Sequence, residues 1–387
     1  MIRKTGLLTL VACLFLILLS PVLAQAQGEL VILGSSVQSE FPAELKFDLS
    51  AASDVSITDI RLHYTVDRVS FAQVTSEVYI EFAPTTTADV SWTWDMRRTG
   101  GMPPGSGIEY WWTVKDARGG KIETAPVRVQ FDDLRYPWQS LTEGKVTIYW
   151  YEGDKSFAQE TMAAAQQAMA RLAEDTGAYL EKPAKIYIYV NSQDLQGAMI
   201  FPQEWTGGVA FTRYGTIAIG IAPNNLAWGR RAIAHEIAHL VIHQMTLNPY
   251  GDLPTWLDEG LAMYAEGPLE PKLVALLNEA AAENKLISAR SLSSPFSAHA
   301  EEAVLSYAQS YSLVDFLISS YGPDKMLELL NTFREGSSYD GALSRVYGFD
   351  MDGLNTLWRD YIAVPVQSSE ELGMEPAPIG TLAGWGG

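Results

Sequence analysis

With 387 residues, 47% of them hydrophobic and 19% charged, the chain is long enough for more than one packed domain and too apolar for intrinsic disorder. A formal net charge of -19 argues against nucleic acid as a partner, because a phosphate backbone recruits the opposite sign. The single cysteine, Cys13, rules out a disulfide framework, so stability must come from other sources than disulfides, packing above all.

Residues 1–26 read as a secretory signal peptide, with Arg3-Lys4, an apolar run from Gly6 to about Leu23, and Ala24-Gln25-Ala26 as a small-x-small cleavage site. Cleavage yields a secreted or cell-surface protein and removes two positive charges, taking -19 to -21. Left uncleaved, the run approaches spanning length and tethers the chain to a membrane. Leu10-Val11-Ala12-Cys13 resembles a lipoprotein box, but Leu14-Phe15-Leu16-Ile17 follows where a polar start is required, so Cys13 is assigned to the apolar core of the signal.

Residues 27–137 alternate apolar and polar positions between turns. Leu45, Phe47 and Leu49, then Ile60, Leu62, Tyr64 and Val66, then Val90, Trp92 and Trp94, then Ile108, Tyr110, Trp112 and Val114 each mark a half-buried strand. Asp116-Ala117-Arg118-Gly119-Gly120 predicts a hairpin between 108–115 and 121–131. Short strands at this density suggest an immunoglobulin-like or fibronectin-like β-sandwich. His63 falls on the polar phase and is expected to be exposed. The alternating aromatics are read as core, not as a binding face.

After Asp132–Pro137 the pattern becomes mixed α and β. Val146–Tyr151 and Lys185–Val190 read as strands. Phe157–Asp175 reads as a helix with Met162, Ala165, Met169 and Leu172 on one stripe, closed by Gly177. Val209–Phe211 and Thr216–Ala222 are extended. Leu226–Leu247 has no proline and is predicted to be one helix, with Pro223-Asn224-Asn225 as turn and cap and Asn248-Pro249-Tyr250-Gly251 as its stop.

That helix carries Ala234-His235-Glu236-Ile237-Ala238-His239. Side chains four apart on an α-helix are offset by about 40°, so His235 and His239 can share one cation, while Glu236 lies about 100° round from His235, near the cation without having to ligate it. Such an arrangement suits zinc, which takes neutral imidazole and leaves a position open for a water that a carboxylate can deprotonate. The bland alternative is two satisfied core histidines, which five histidines in the whole chain and the helical setting disfavour. A third ligand is wanted, and Glu259 in Thr255-Trp256-Leu257-Asp258-Glu259-Gly260-Leu261-Ala262 is the natural candidate, in a helix that Thr255 and Asp258 start as a capping box.

Taken together, His-Glu-x-x-His followed by Trp-Leu-x-Glu-Gly-x-Ala resembles the gluzincin metallopeptidases, the peptidase MA-like group of thermolysin and aminopeptidase N. The resemblance implies an α+β catalytic domain over 138–365 with a helical C-terminal half, one zinc ion held by His235, His239 and Glu259, and Glu236 as general base. The gap from His239 to Glu259 is one residue longer than in the aminopeptidase N branch, which a loop residue within Pro249–Leu253 absorbs.

The family also has a cleft-wall strand that pairs with the substrate backbone, here Gly208, Val209, Ala210 and Phe211 within 207–212. The aminopeptidase N branch carries Gly-x-Met-Glu-Asn there, and its glutamate holds the free amino end; this chain has no carboxylate in Gly208–Thr212. The expectation is an endopeptidase acting on peptide or protein substrates. An aminopeptidase, using Glu204 or Glu266 from elsewhere, and a binding module with a vestigial metal site are the alternatives. Ser306-Tyr307-Ala308-Gln309-Ser310-Tyr311 resembles the family's Ser-Tyr-Glu-Lys-Gly stretch, so Tyr307 inherits the oxyanion-stabilising role, with Tyr311 or Tyr264 able to serve instead.

His243 is expected outside the ligand set, since its face has rotated about 80° from that of His235. His299 is read as a loop residue. Lys272–Asn284, Glu301–Tyr321, Met326–Phe333 and Leu354–Ile362 complete a helical end, and the polar, then Gly- and Pro-rich tail, 366–387, is expected to be disordered.

Overall fold

A computed structural model describes residues 29–202, 207–297 and 300–363, without the side chains of 300–302. The signal segment with Cys13, Glu204, His299 and the tail lie outside the described residues.

The first half is all β: β1 (Val31–Glu40), β2 (Glu44–Val66), β3 (Ser76–Tyr79), β4 (Thr85–Asp95), β5 (Ser106–Asp116), β6 (Lys121–Glu123) and β7 (Val127–Phe131). The two separate strands expected at 45–49 and 60–66 are one strand, β2. Its first half pairs with β1 and β4 and its second with β3 and β5, with the register shifting between Ala52 and Ile57. One long strand thus serves both layers of the sandwich. Leu45, Phe47 and Leu49 from one layer meet Ile60, Leu62, Ile108, Tyr110 and Trp112 from the other, with Phe47 edge-on to Tyr110 at 5.0 Å. His63 is not exposed as expected: its ring stacks on Trp111 at 5.3 Å and its Nε2 lies 3.0 Å from Thr113 Oγ1, because the outer face of the sheet is itself packed with side chains.

A short connection then locks the halves together. Asp133 is buried, takes an ion pair from Arg135 at 2.6 Å, and accepts from Tyr189 Oη at 2.9 Å. The second sheet runs β11-β12-β10-β9-β8, from β8 (Gln139–Glu143), β9 (Val146–Trp150), β10 (Ala184–Tyr189), β11 (Gly208–Phe211) and β12 (Thr216–Gly220). β10 is parallel to both neighbours, and β11 is an antiparallel edge strand. Around it pack α1 (Lys155–Thr176), α2 (Ser192–Gln196), α3 (Leu226–Thr246), α4 (Thr255–Glu266), α5 (Pro271–Ala282), α6 (Ala300–Tyr321), α7 (Pro323–Arg334), α8 (Tyr339–Tyr347) and α9 (Met351–Ala363). β8, α2 and α8 were not foreseen from the sequence.

α3 is apolar on nearly every side, as a helix packed against α1, α4, α7 and the sheet must be. Gly229 fits this crowding: a Cβ there would stand 2.4 Å from Ile221 Cγ2. Two expected caps are absent. Asn225 makes no side-chain cap bond, and α4 begins at Pro254 without a capping box, since Thr255 Oγ1 donates to Ser293 O and Asp258 is engaged elsewhere. The fixed φ of Pro254 and the breakers in the connection start α4 without a cap.

Candidate metal centre

Two helix crossings bring the site together. α3 lays Arg231, His235, His239 and His243 on one stripe, four residues apart, and α4 faces that stripe with Asp258, Glu259 and Glu266. Their turn is set by Asn248, whose amide donates to the carbonyls of Thr246, Gly251 and Phe333 while its oxygen accepts from the N–H groups of Tyr250 and Gly251. On the far side of α4, Gly260 lets α6 close in, since a Cβ there would meet Ser310 O at 2.4 Å. That contact brings Tyr307 towards Glu259.

The side chains interleave. Glu259 Oε2 stands 3.3 Å from His235 Nε2 and 3.7 Å from His239 Nε2. His235 Nδ1 is 2.8 Å from Glu266 Oε1, and Glu266 Oε2 accepts from Arg231 Nη2 at 2.8 Å. Arg231 also pairs with Glu270. His239 Nδ1 is 2.9 Å from Asp258 Oδ1, and Asp258 Oδ2 is 2.9 Å from His243 Nε2. Each central imidazole is therefore held through Nδ1 by a carboxylate, which directs both Nε2 atoms at Glu259.

Charge follows geometry. Burial pushes His235 down, but the Glu259 and Glu266 carboxylates outweigh it and raise the imidazole to about 10. His239 is likewise depressed by burial and carried up to about 9 by Asp258 and Glu259. Burial pulls Asp258 up, yet His239 and His243 hold it well below the usual carboxylate range. Glu236, 4% exposed, is raised by burial.

The donor set fits a divalent cation. The decisive atom is Glu259 Oε2, which is buried and accepts no hydrogen bond of good geometry while two imidazole nitrogens converge on it. An acceptor left so is costly unless a cation completes it. The ligand atoms of His235, His239 and Glu259 all lie within 4.8 Å of one another. His239, His243 and Asp258 form a second such group, but its members already hydrogen-bond to one another.

β11 runs beside this centre. A Cβ on Gly208 would stand 2.9 Å from Glu236 Oε1, so glycine lets the strand pass this close without displacing the carboxylate. Val209, Ala210 and Phe211 are half-buried, and β12 pairs only one edge of the strand. The buried Tyr307 hydroxyl is raised first by burial and then by Glu259 and Glu236, whereas Tyr264 is raised by burial and then by Asp175 and Asp315, and Tyr311 by burial and then by Asp315. Of the three tyrosines, Tyr307 is the one beside the centre.

The family model for the peptidase MA superfamily matches residues 164–364, a little over half of the chain. The chain belongs to the peptidase MA superfamily. Membership carries the gluzincin-type reading of a metallopeptidase, and with it a metal ion. No curated protein sequence matches. Solved structures that match include an M1 zinc metallopeptidase from Deinococcus radiodurans, at 14% identity and TM-score 0.36, covering 92% of this chain and 97% of that one. OgpA from Akkermansia muciniphila matches at 9% identity and TM-score 0.21, covering 29% of this chain and only 30% of its own. A carbohydrate-binding module family 56 β-1,3-glucan binding domain matches at 15% identity and TM-score 0.16, covering 25% and 95%. At such scores none of the three informs the chemistry of this chain.

The sequence had already singled out His235, Glu236, His239, Glu259 and Tyr307, and the fold brings all five together. It had assigned no role to Arg231, read Asp258 as a cap, and offered Glu266 as a substrate anchor. The four-residue spacing of Arg231 and His243 about the two histidines was the available signal.

Proposed function

We propose that the protein is a secreted or cell-surface zinc endopeptidase, with the metal held by His235, His239 and Glu259. The observation that carries this is the buried Glu259 oxygen between two imidazole nitrogens, a two-nitrogen, one-carboxylate donor set that zinc favours in catalytic sites. When bound, the ion supplies Lewis acidity that polarises the scissile carbonyl and favours ionisation of water.

The chain's own groups do the rest. Extended substrate adds to the unpaired edge of β11 through backbone hydrogen bonds. Glu236 takes a proton at its carboxylate from the attacking water; the new C–O bond forms, the C–N bond breaks, and the proton passes to the leaving amine. Burial raises that carboxyl above its usual range, the direction that suits a group that must both take and return a proton. Tyr307, neutral because burial and two carboxylates disfavour its ionised form, donates to the developing oxyanion.

Endopeptidase action rests on what β11 lacks. An ammonium terminus needs a carboxylate to pair with, and Gly208–Thr212 provide none. Glu266 is unavailable, since both its oxygens are committed to His235 and Arg231. The reading of residues 1–26 as a secretory signal, made from the sequence, supports action outside the cytoplasm. Stripping metal with a chelator should abolish cleavage of an acetylated peptide and added zinc should restore it; cleavage indifferent to chelation, or confined to free amino ends, would contradict the proposal.

A further inference from the structure

We propose that the cavity beyond the far end of β11 is a substrate subsite for a carboxylate, with Arg213 as its charge partner and Val69, from the segment between β2 and β3, on its rim. This rests on the endopeptidase reading. The cavity, of about 290 Å³, is lined by Val69, Thr212, Arg213, His243, Asn248 and Asp252, among others. Arg213 is exposed, and among the described residues its guanidinium makes neither an ion pair nor a hydrogen bond. Its backbone is pinned, because Val69 N–H, from the segment between β2 and β3, donates to Arg213 O at 2.6 Å. The N-terminal unit therefore fixes the turn that presents this arginine.

Position ties the cavity to the cleft. Gly208 abuts Glu236 at one end of β11, and Thr212–Tyr214 form the turn at the other. Three strand steps of about 3.3 Å and the turn put Arg213 roughly 12–15 Å from the base. His243 gives an independent measure, one helical turn or about 6 Å beyond His239 on α3. A chain laid along β11 would thus present a side chain, or its own terminus, to the cavity two to four residues from the scissile bond.

An unpartnered arginine at that point favours a carboxylate, for which the guanidinium fork is matched. Asp252 also lines the cavity, but it lies on the α3–α4 connection and not on the strand that sets substrate register. The overall charge of -19 repels acidic peptides at long range, so any preference for them must arise from a local cation.

The test uses the zinc-loaded chain and peptide pairs with Glu or Gln at each position two to four residues from the bond, with free or amidated carboxyl ends. At low salt one position should favour Glu about fivefold in kcat/KM, the size expected of a solvent-accessible ion pair. Selectivity confined to free carboxyl ends would assign the same subsite to the chain terminus. Either preference should reverse in Arg213→Glu and fade in 1 M salt, where the Debye length is about 3 Å. Equal rates for all pairs, a preference for Lys, or selectivity unchanged in Arg213→Glu would overturn the subsite and leave the endopeptidase reading standing. Failure to cleave any peptide would remove both.

Discussion

Replacing Gly208 by alanine adds one methyl group at the point where β11 passes the proposed base. The new Cβ would lie 2.9 Å from Glu236 Oε1 and 3.2 Å from Ile219 Cγ1. The Ile219 side of this contact is buried in the core beneath the sheet, so the carboxylate must give way. Ordinary contact requires about 3.5 Å, so it retreats by roughly 0.5 Å. Misplacing a catalytic group by about 1 Å can lower a rate by 10²-fold, so half that displacement predicts roughly a tenfold fall in kcat/KM. The assay is steady-state cleavage of an acetylated peptide, with zinc content and Tm measured on the same preparation. Zinc should stay at one per chain, because Gly208 touches none of the three proposed ligands. Wild-type kcat/KM in a folded, zinc-loaded Gly208→Ala protein would refute the placement of Glu236 against the edge strand.

Tyr307→Phe should lower kcat with little change in KM, by about 2.7–4 kcal/mol if the hydroxyl meets the oxyanion; a change in KM alone would make Tyr307 a pocket residue and return attention to Tyr311 and Tyr264. Glu266→Gln should weaken zinc binding by about 10–100-fold, measured by chelator competition, because the substitution removes the charge that holds His235 Nδ1. The metal-free protein should lose stability as pH rises. His235 and His239 are raised to about 10 and 9 against burial by their carboxylate partners, so their contribution is complete below about 6.5, the unfolded value, and is lost as pH climbs through 9 and 10. A flat Tm across that range in chelator would contradict the interleaved charges.

What the sequence revealed and what it hid have separate causes. His235, Glu236 and His239 were legible because the spacing on one helix places them before any tertiary contact forms, Glu259 because the following helix carries the Trp-Leu-x-Glu-Gly pattern, and Tyr307 because a neighbouring motif marked it. Asp258 was misread because a Thr followed three residues on by an acid signals a cap, whereas two half-buried imidazoles, His239 and His243, compete for that carboxylate and win. Glu266 was weighed as a substrate anchor because nothing local shows that Arg231, from another helix, already holds it. β2 was split in two because its register shift looks like a turn in a one-dimensional pattern. The crowding at Gly229 and Gly260 becomes visible only once Ile221 and Ser310 are brought to them.

The account stands most directly on Glu236→Gln, which keeps the shape of the side chain beside Gly208 and removes its basicity. Zinc content and peptide turnover measured together should show one zinc per chain and at least a roughly 10²-fold loss of rate. Near-normal turnover with zinc in place would contradict the assignment of Glu236 as the base, and with it the proposed mechanism.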